Sequence, residues 1–95
     1  MDEGKVFYVS SKRRPNDYVL DVVSNLVNGK NVTLKARGKA TAVACDVAEI
    51  ARNRFVQDAK YLAIELSTEE IERDVEGSDE KVKKNITAIN IVLGK

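Results

Sequence analysis

The run NVTLKARGKATAVACDVAEIARNRF, residues 31–55, decides the fold, because its first third alternates and the rest repeats with the period of a helix. Val32, Leu34 and Ala36 alternate with Thr33, Lys35 and Arg37, the pattern of a half-buried strand. From Ala40 onward the apolar residues fall at Val43, Ala44, Val47, Ala48, Ile50 and Ala51, the spacing of one buried helix face. Arg37, Gly38 and Lys39 occupy the turn between them, so two cations flank a helix N-terminus. That end already carries about half a positive charge from the aligned peptide dipoles, and a bound anion such as phosphate removes the conflict.

The same arrangement precedes it. An apolar strand over Val6 to Val9 runs into Lys12, Arg13 and Arg14, and Pro15 then favours the first turn of a helix. That helix is expected to bury Tyr18, Val19, Val22, Val23, Leu26 and Val27 and to stop at Asn28-Gly29. If the two strands are parallel, as a crossover helix requires, both turns lie at one edge of the sheet. Lys12, Arg13, Arg14, Arg37 and Lys39 then share that edge. One such turn is ordinary solvated charge, whereas two on one edge favour a polyanion site.

The net charge of +1 conceals segregation. Residues 4–64 hold 11 basic and 5 acidic side chains, residues 65–80 hold 1 and 8, and residues 81–95 hold 4 and none. A basic binding face with an acidic segment kept apart from it fits this distribution. Ninety-five residues with 43% hydrophobic content can close one core, and a domain this small gains from oligomerising. The single Cys45 excludes an intramolecular disulfide, fits a reducing compartment and reads as a small packing residue on helix two. There is no run of about 18 apolar residues, and Met1 to Lys5 begins acidic and enters a strand. The expectation is therefore a cytoplasmic protein without a membrane span or secretory signal.

Beyond helix two, Tyr61 to Leu66 reads as a third strand continuing toward Arg73. Val82 to Leu93 reads as a fourth, with Ile89, Ile91 and Leu93 on one face. The polar stretch Glu69 to Lys81, with Gly77-Ser78-Asp79, is expected to be the tip of a long exposed hairpin. The organisation is β-α-β-α-β-β in one domain, residues 1–95, an α+β fold.

Catalysis has little to work with. There is no histidine to act as a base near neutral pH, and one cysteine without a histidine partner is a poor nucleophile. No acidic cluster has metal-ligand spacing, Asp46 and Glu49 lie a helical turn apart on a solvated face, and Arg37-Gly38-Lys39 lacks the pattern of a nucleotide-binding P-loop. No metal or cofactor is expected. Neither helix carries a row of Arg, Asn and Gln suited to base edges in the major groove.

The runs Lys35-Ala36-Arg37-Gly38-Lys39-Ala40, Ala44-Cys45-Asp46-Val47-Ala48-Glu49-Ile50 and Arg52-Asn53-Arg54-Phe55 resemble the Alba family of small archaeal chromatin proteins. The basic turn before Pro15, the start of helix one at Asn16-Asp17-Tyr18-Val19 and the ending from Ile86 to Leu93 extend the likeness over nearly the whole chain. The resemblance implies a two-layer sandwich of a mixed four-stranded sheet and two helices, like the C-terminal domain of translation initiation factor three. It also implies a homodimer that coats and compacts duplex DNA with little sequence preference, binds RNA, and is chromosome-associated. The family's basic turns fall on Arg13 and Arg14, with Lys12 just ahead, and on Arg37 and Lys39. Its aromatic for dimer-dimer contact falls on Phe55, which the residues alone read as a cap on the core.

Two departures stand out. The family's Lys-Lys-Pro, with a lysine proposed to be acetylated, is replaced by arginines before Pro15, so Lys12 is the candidate for acetylation. The family's basic arm is replaced by Glu69, Glu70, Glu72, Asp74, Glu76, Asp79 and Glu80, opposed by Arg73, Lys81, Lys83 and Lys84. Lys83 and Lys84 are the arm's candidates for nucleic-acid contact, and read equally as charges that keep an edge strand from aggregating. Three functions follow: an architectural DNA-binding protein, an RNA-binding protein or subunit of an RNA-processing particle, and a protein-interaction module working through its acidic hairpin.

Overall fold

A computed structural model describes residues 4–74, 76–77 and 79–95. The acidic start Asp2-Glu3 and Ser78 of the expected hairpin tip lie outside the described residues. The elements are β1 (Lys5–Tyr8), α1 (Asn16–Val27), β2 (Val32–Arg37), α2 (Ala40–Ile50), a π-helical turn (Ala51–Phe55), β3 (Lys60–Asp74) and β4 (Lys81–Gly94). They form one mixed sheet in the order β1-β2-β4-β3. β1 and β2 are parallel, with Tyr8 beside Lys35, and β4 runs antiparallel to both β2 and β3. The expected α+β architecture is therefore the one observed, and the two strand-to-helix turns do share one edge.

Alternation along β2 and β4 explains where the core sits. Val32, Leu34 and Ala36 on β2 and Ile89, Ile91 and Leu93 on β4 point to one face, where Val19, Val22 and Leu26 of α1 and Ala44, Val47 and Ala48 of α2 meet them. Leu26, Leu34 and Leu93 are wholly buried, each contributing about 1.5–3 kcal/mol of apolar burial. α1 ends as expected, with Gly29 taking φ +79°, which only glycine adopts without strain.

Two expected core residues are elsewhere. Val27 is 60% exposed, because it follows Leu26 by about 100° of helix rotation and so leaves the stripe formed by Val19, Val22 and Leu26. Cys45 is exposed for the same reason, one position past the buried Ala44.

Both helices pack on β2 and α2 also on β4. The outer part of that same face is bare, since Ile64 and Leu66 of β3, registered against Ile91 and Ile89, are 56% and 72% exposed. Leu62, at an irregularity in the pairing of β3 with β4, is exposed on the other face, where its Cδ1 lies against Gly94. The β3–β4 hairpin projects past the helices and gives the molecule extents of 51 × 26 × 18 Å. Among the described residues no helix is long and apolar enough to cross a membrane.

A polar clamp fastens the start of β3 to α2. The Tyr61 hydroxyl donates to the Glu49 carboxylate, and the Arg52 guanidinium lies 5.4 Å from the centre of the Tyr61 ring. Burial, reinforced by the Glu49 carboxylate, pushes the Tyr61 hydroxyl up to about 12 from its ordinary value of 10. Folding thus raises this pKa, so the clamp's contribution to stability is complete below about pH 10 and is lost as pH climbs toward about 12. Glu49→Gln should lower the Tyr61 midpoint part of the way, burial being the larger cause, as read by phenolate absorbance in an alkaline titration. An unmoved midpoint would leave burial as the whole cause.

Candidate nucleic-acid interface

The first basic turn is held by Tyr18, whose significance no charge pattern reveals. Tyr18 is buried on α1, and its hydroxyl accepts the Ser10 N–H at 2.9 Å. Ser10 Oγ then accepts the Lys12 N–H at 3.1 Å, and the Ser10 carbonyl accepts the Arg13 N–H at 3.4 Å. The Arg13 guanidinium sits 5.6 Å from the Tyr18 ring centre, within cation–π range. Arg14 N–H donates to the Asp17 carboxylate at 3.0 Å, and Asp17 also supplies the negative charge that the first turn of α1 favours. The backbone N–H groups of Ser10, Lys12, Arg13 and Arg14 are thereby occupied internally. What the turn offers to a ligand is the exposed side chains of Lys12, Arg13 and Arg14.

The second basic turn is tighter. Gly38 has φ +59°, and a Cβ there would lie 2.7 Å from Ile86 Cδ1, so the turn accepts only glycine without displacement. Gly38 N–H donates to the Thr87 carbonyl of β4 at 2.8 Å, while Thr41 Oγ1 donates to the Gly38 carbonyl at 2.9 Å. The first turn of α2 contains no acidic residue, so the dipole conflict is unrelieved within the helix itself. Partial relief comes from the hairpin, where Glu69 of β3 pairs with Arg37 at 3.2 Å. Lys39 remains exposed at the helix start.

The hairpin divides its charges by face. Successive strand residues point to opposite sides, and directly paired residues point to the same side. Ile71 pairs with Lys84 and Arg73 with Val82, on the side that carries Arg37; Glu72 pairs with Lys83 and Asp74 with Lys81, on the side that carries the helices. Glu70 belongs to the second group and holds Lys83 at 3.5 Å. Glu70, Glu72 and Asp74 therefore share one face with Lys81 and Lys83, while Arg73 and Lys84 share the other with Ile71, Ile86 and Glu69, whose carboxylate is taken up by Arg37. A groove of about 490 Å³ brings Arg37 and Lys39 of the second turn together with Arg73 and Lys84, over a floor of Ile71 and Ile86, with Ser11 of the first turn on its rim.

This geometry separates the two lysines that sequence alone grouped. Lys84 joins the groove, whereas Lys83 lies on the far side in an ion pair. Arg73, which the sequence offers only as a counter-charge within an acidic run, also belongs to the groove, where its pairing opposite Val82 puts it on the same face as Lys84. Phe55 closes the π-helical turn and is 54% exposed, so it does not cap the core.

The fold and site together define a class: small α+β domains with a parallel strand pair whose two basic turns adjoin a long antiparallel hairpin. The Alba family model matches residues 5–68. The DNA/RNA-binding protein Alba of Picrophilus torridus is 42% identical over 98% of both chains, and that of Thermoplasma acidophilum 40% identical over 100% of both. Among solved structures, Alba from Thermoplasma volcanium superposes with a TM-score of 0.78 at 37% identity, covering 96% of this chain and 100% of that one. The chain belongs to the Alba family.

Proposed function

We propose that this protein binds nucleic acid through its phosphates with little regard for sequence, coating and compacting duplex DNA as a homodimer and binding RNA with the same surface. The observation that carries the reading is the groove in which cations from one strand-to-helix turn and from both hairpin strands converge. Four cations drawn from separate elements match an extended polyanion better than a single small anion. The relatives' name, DNA/RNA-binding protein Alba, supports the same partners. In this reading the protein is a binder and not a catalyst, acting in the cytoplasm on the chromosome, and Lys12, exposed beside the groove's rim, is where acetylation would remove a cation.

The bare apolar pair of Ile64 and Leu66 supports the homodimer, since a second copy covering it removes large side chains from water that the protomer leaves exposed. Further association along DNA is assigned to Phe55. Phe55→Ala should leave the thermal midpoint of the free protein nearly unchanged and reduce the cooperativity of DNA binding. A loss of roughly 3–5 kcal/mol of stability would instead mark it as a core residue.

The function is tested by titrating the protein, at one fixed salt concentration, against two duplex DNAs of unrelated sequence and against a structured RNA. Similar affinities for the two duplexes are expected. Failure to bind either duplex, or a strong preference for one of them, contradicts the reading, and a strong preference for RNA moves the assignment to RNA processing.

A further inference from the structure

The sheet has a second face, free of helices, that the phosphate groove only borders. On β1 the alternation turns Phe7 toward the helices and Tyr8 away from them. Tyr8 is 76% exposed, more than any other large apolar side chain among the described residues, and it stands beside Lys35 in the parallel register. It flanks a concavity of about 580 Å³, a volume within the roughly 300–1,000 Å³ of small-ligand clefts. The concavity exists because Ala88 and Ser67, paired across β4 and β3, are small. Lys35 and Asn90, also paired, supply an ammonium and a carboxamide to its lining. Arg37 lines both this concavity and the phosphate groove, so the two adjoin at its guanidinium, which also holds the Glu69 carboxylate of the concavity's lining.

We propose that Tyr8, with Lys35 and Asn90, forms a seat for an unpaired base of single-stranded RNA, whose backbone is carried on by Arg37 into the phosphate groove. An exposed aromatic ring on an open sheet offers a stacking platform to any base, and beside cations it holds a strand without reading its sequence. A carboxamide can both donate to and accept from a base edge. The bases of a duplex are stacked on one another and cannot reach the ring, so the seat discriminates unpaired from paired strands. The inference rests on the phosphate-binding reading of the groove and adds to it a preference for single strands.

The test compares the unaltered protein with Tyr8→Ala and Tyr8→Phe on three probes at one salt concentration: a single-stranded RNA oligonucleotide, the same strand with abasic positions, and duplex DNA. Tyr8→Ala should weaken binding to the RNA by roughly 5- to 150-fold, the range for losing one stacked base, and leave the abasic strand and the duplex nearly unchanged. Tyr8→Phe should bind like the unaltered protein, because stacking needs the ring and not the hydroxyl. An undiminished affinity of Tyr8→Ala for the RNA, or an equal loss on the abasic strand, overturns the proposal. Duplex binding without RNA binding by the unaltered protein overturns it and leaves the phosphate reading standing, whereas binding to none of the probes overturns both.

Discussion

Reversing the two hairpin cations that face the groove, Lys84→Glu with Arg73→Glu, should weaken duplex binding by at least roughly 10²- to 10³-fold at about 0.15 M salt. In a homodimer the pair of substitutions removes four phosphate contacts, and counterion release makes each worth about fivefold at that salt. The informative control changes net charge by the same amount on the opposite face. Lys81→Glu with Lys83→Glu should cost less than about tenfold, because these residues act on the phosphates only through screened, longer-range repulsion. Lys83 is moreover already matched to Glu70 at 3.5 Å. Filter-binding or anisotropy titrations of both double variants decide the matter. Equal losses would mean that the hairpin works as a diffuse charge and that its division into faces has no part in binding.

The second large effect concerns assembly. Ile64→Asp with Leu66→Asp should convert a dimer into monomers, detected by sedimentation or light scattering, while the protomer stays folded because both side chains are already more than half exposed within it. Burying four such side chains across a twofold interface contributes about 6 kcal/mol or more, so the dimer dissociation constant should rise by at least about 10⁴. Duplex affinity should fall with it, since each protomer alone presents half the cations. A dimer that survives both substitutions places the interface elsewhere.

Much of this was legible in the sequence, and the parts that were not share a cause. The parallel pairing of β1 with β2 followed from two strand-helix units in succession, and the convergence of the basic turns on one edge followed from that. The end of α1 was marked by Asn28-Gly29, whereas β3 runs on to Asp74, through the first six residues of the stretch from Glu69 to Lys81 expected as the hairpin tip, because pairing with β4 extends a strand that its acidic composition hides. Positions that depend on rotation or register were harder. Val27 and Cys45 each lie one residue beyond a buried position, and an apolar residue on the flank of a stripe looks the same in sequence as one within it. The hairpin read as acidic because its charges were counted along the chain. Pairing across the strands sorts them, setting Glu70, Glu72 and Asp74 with Lys81 and Lys83 on one side and Glu69 with Arg73 and Lys84 on the other. Tyr18 read as core, and it is; that its hydroxyl also holds Ser10, and through it the turn of Lys12 and Arg13, depends on a contact eight residues away that no local pattern encodes.

The central claim is that cations of the two turns and the hairpin act on phosphates, and the slope of duplex affinity against salt measures this directly. If about 6 to 10 phosphates are neutralised per dimer, affinity should fall by roughly 10³- to 10⁵-fold between 50 and 200 mM salt. Arg13→Ala with Arg14→Ala should flatten the slope and weaken unrelated duplex sequences alike. A slope near zero in the unaltered protein, or one that the double variant leaves unchanged, would contradict the account.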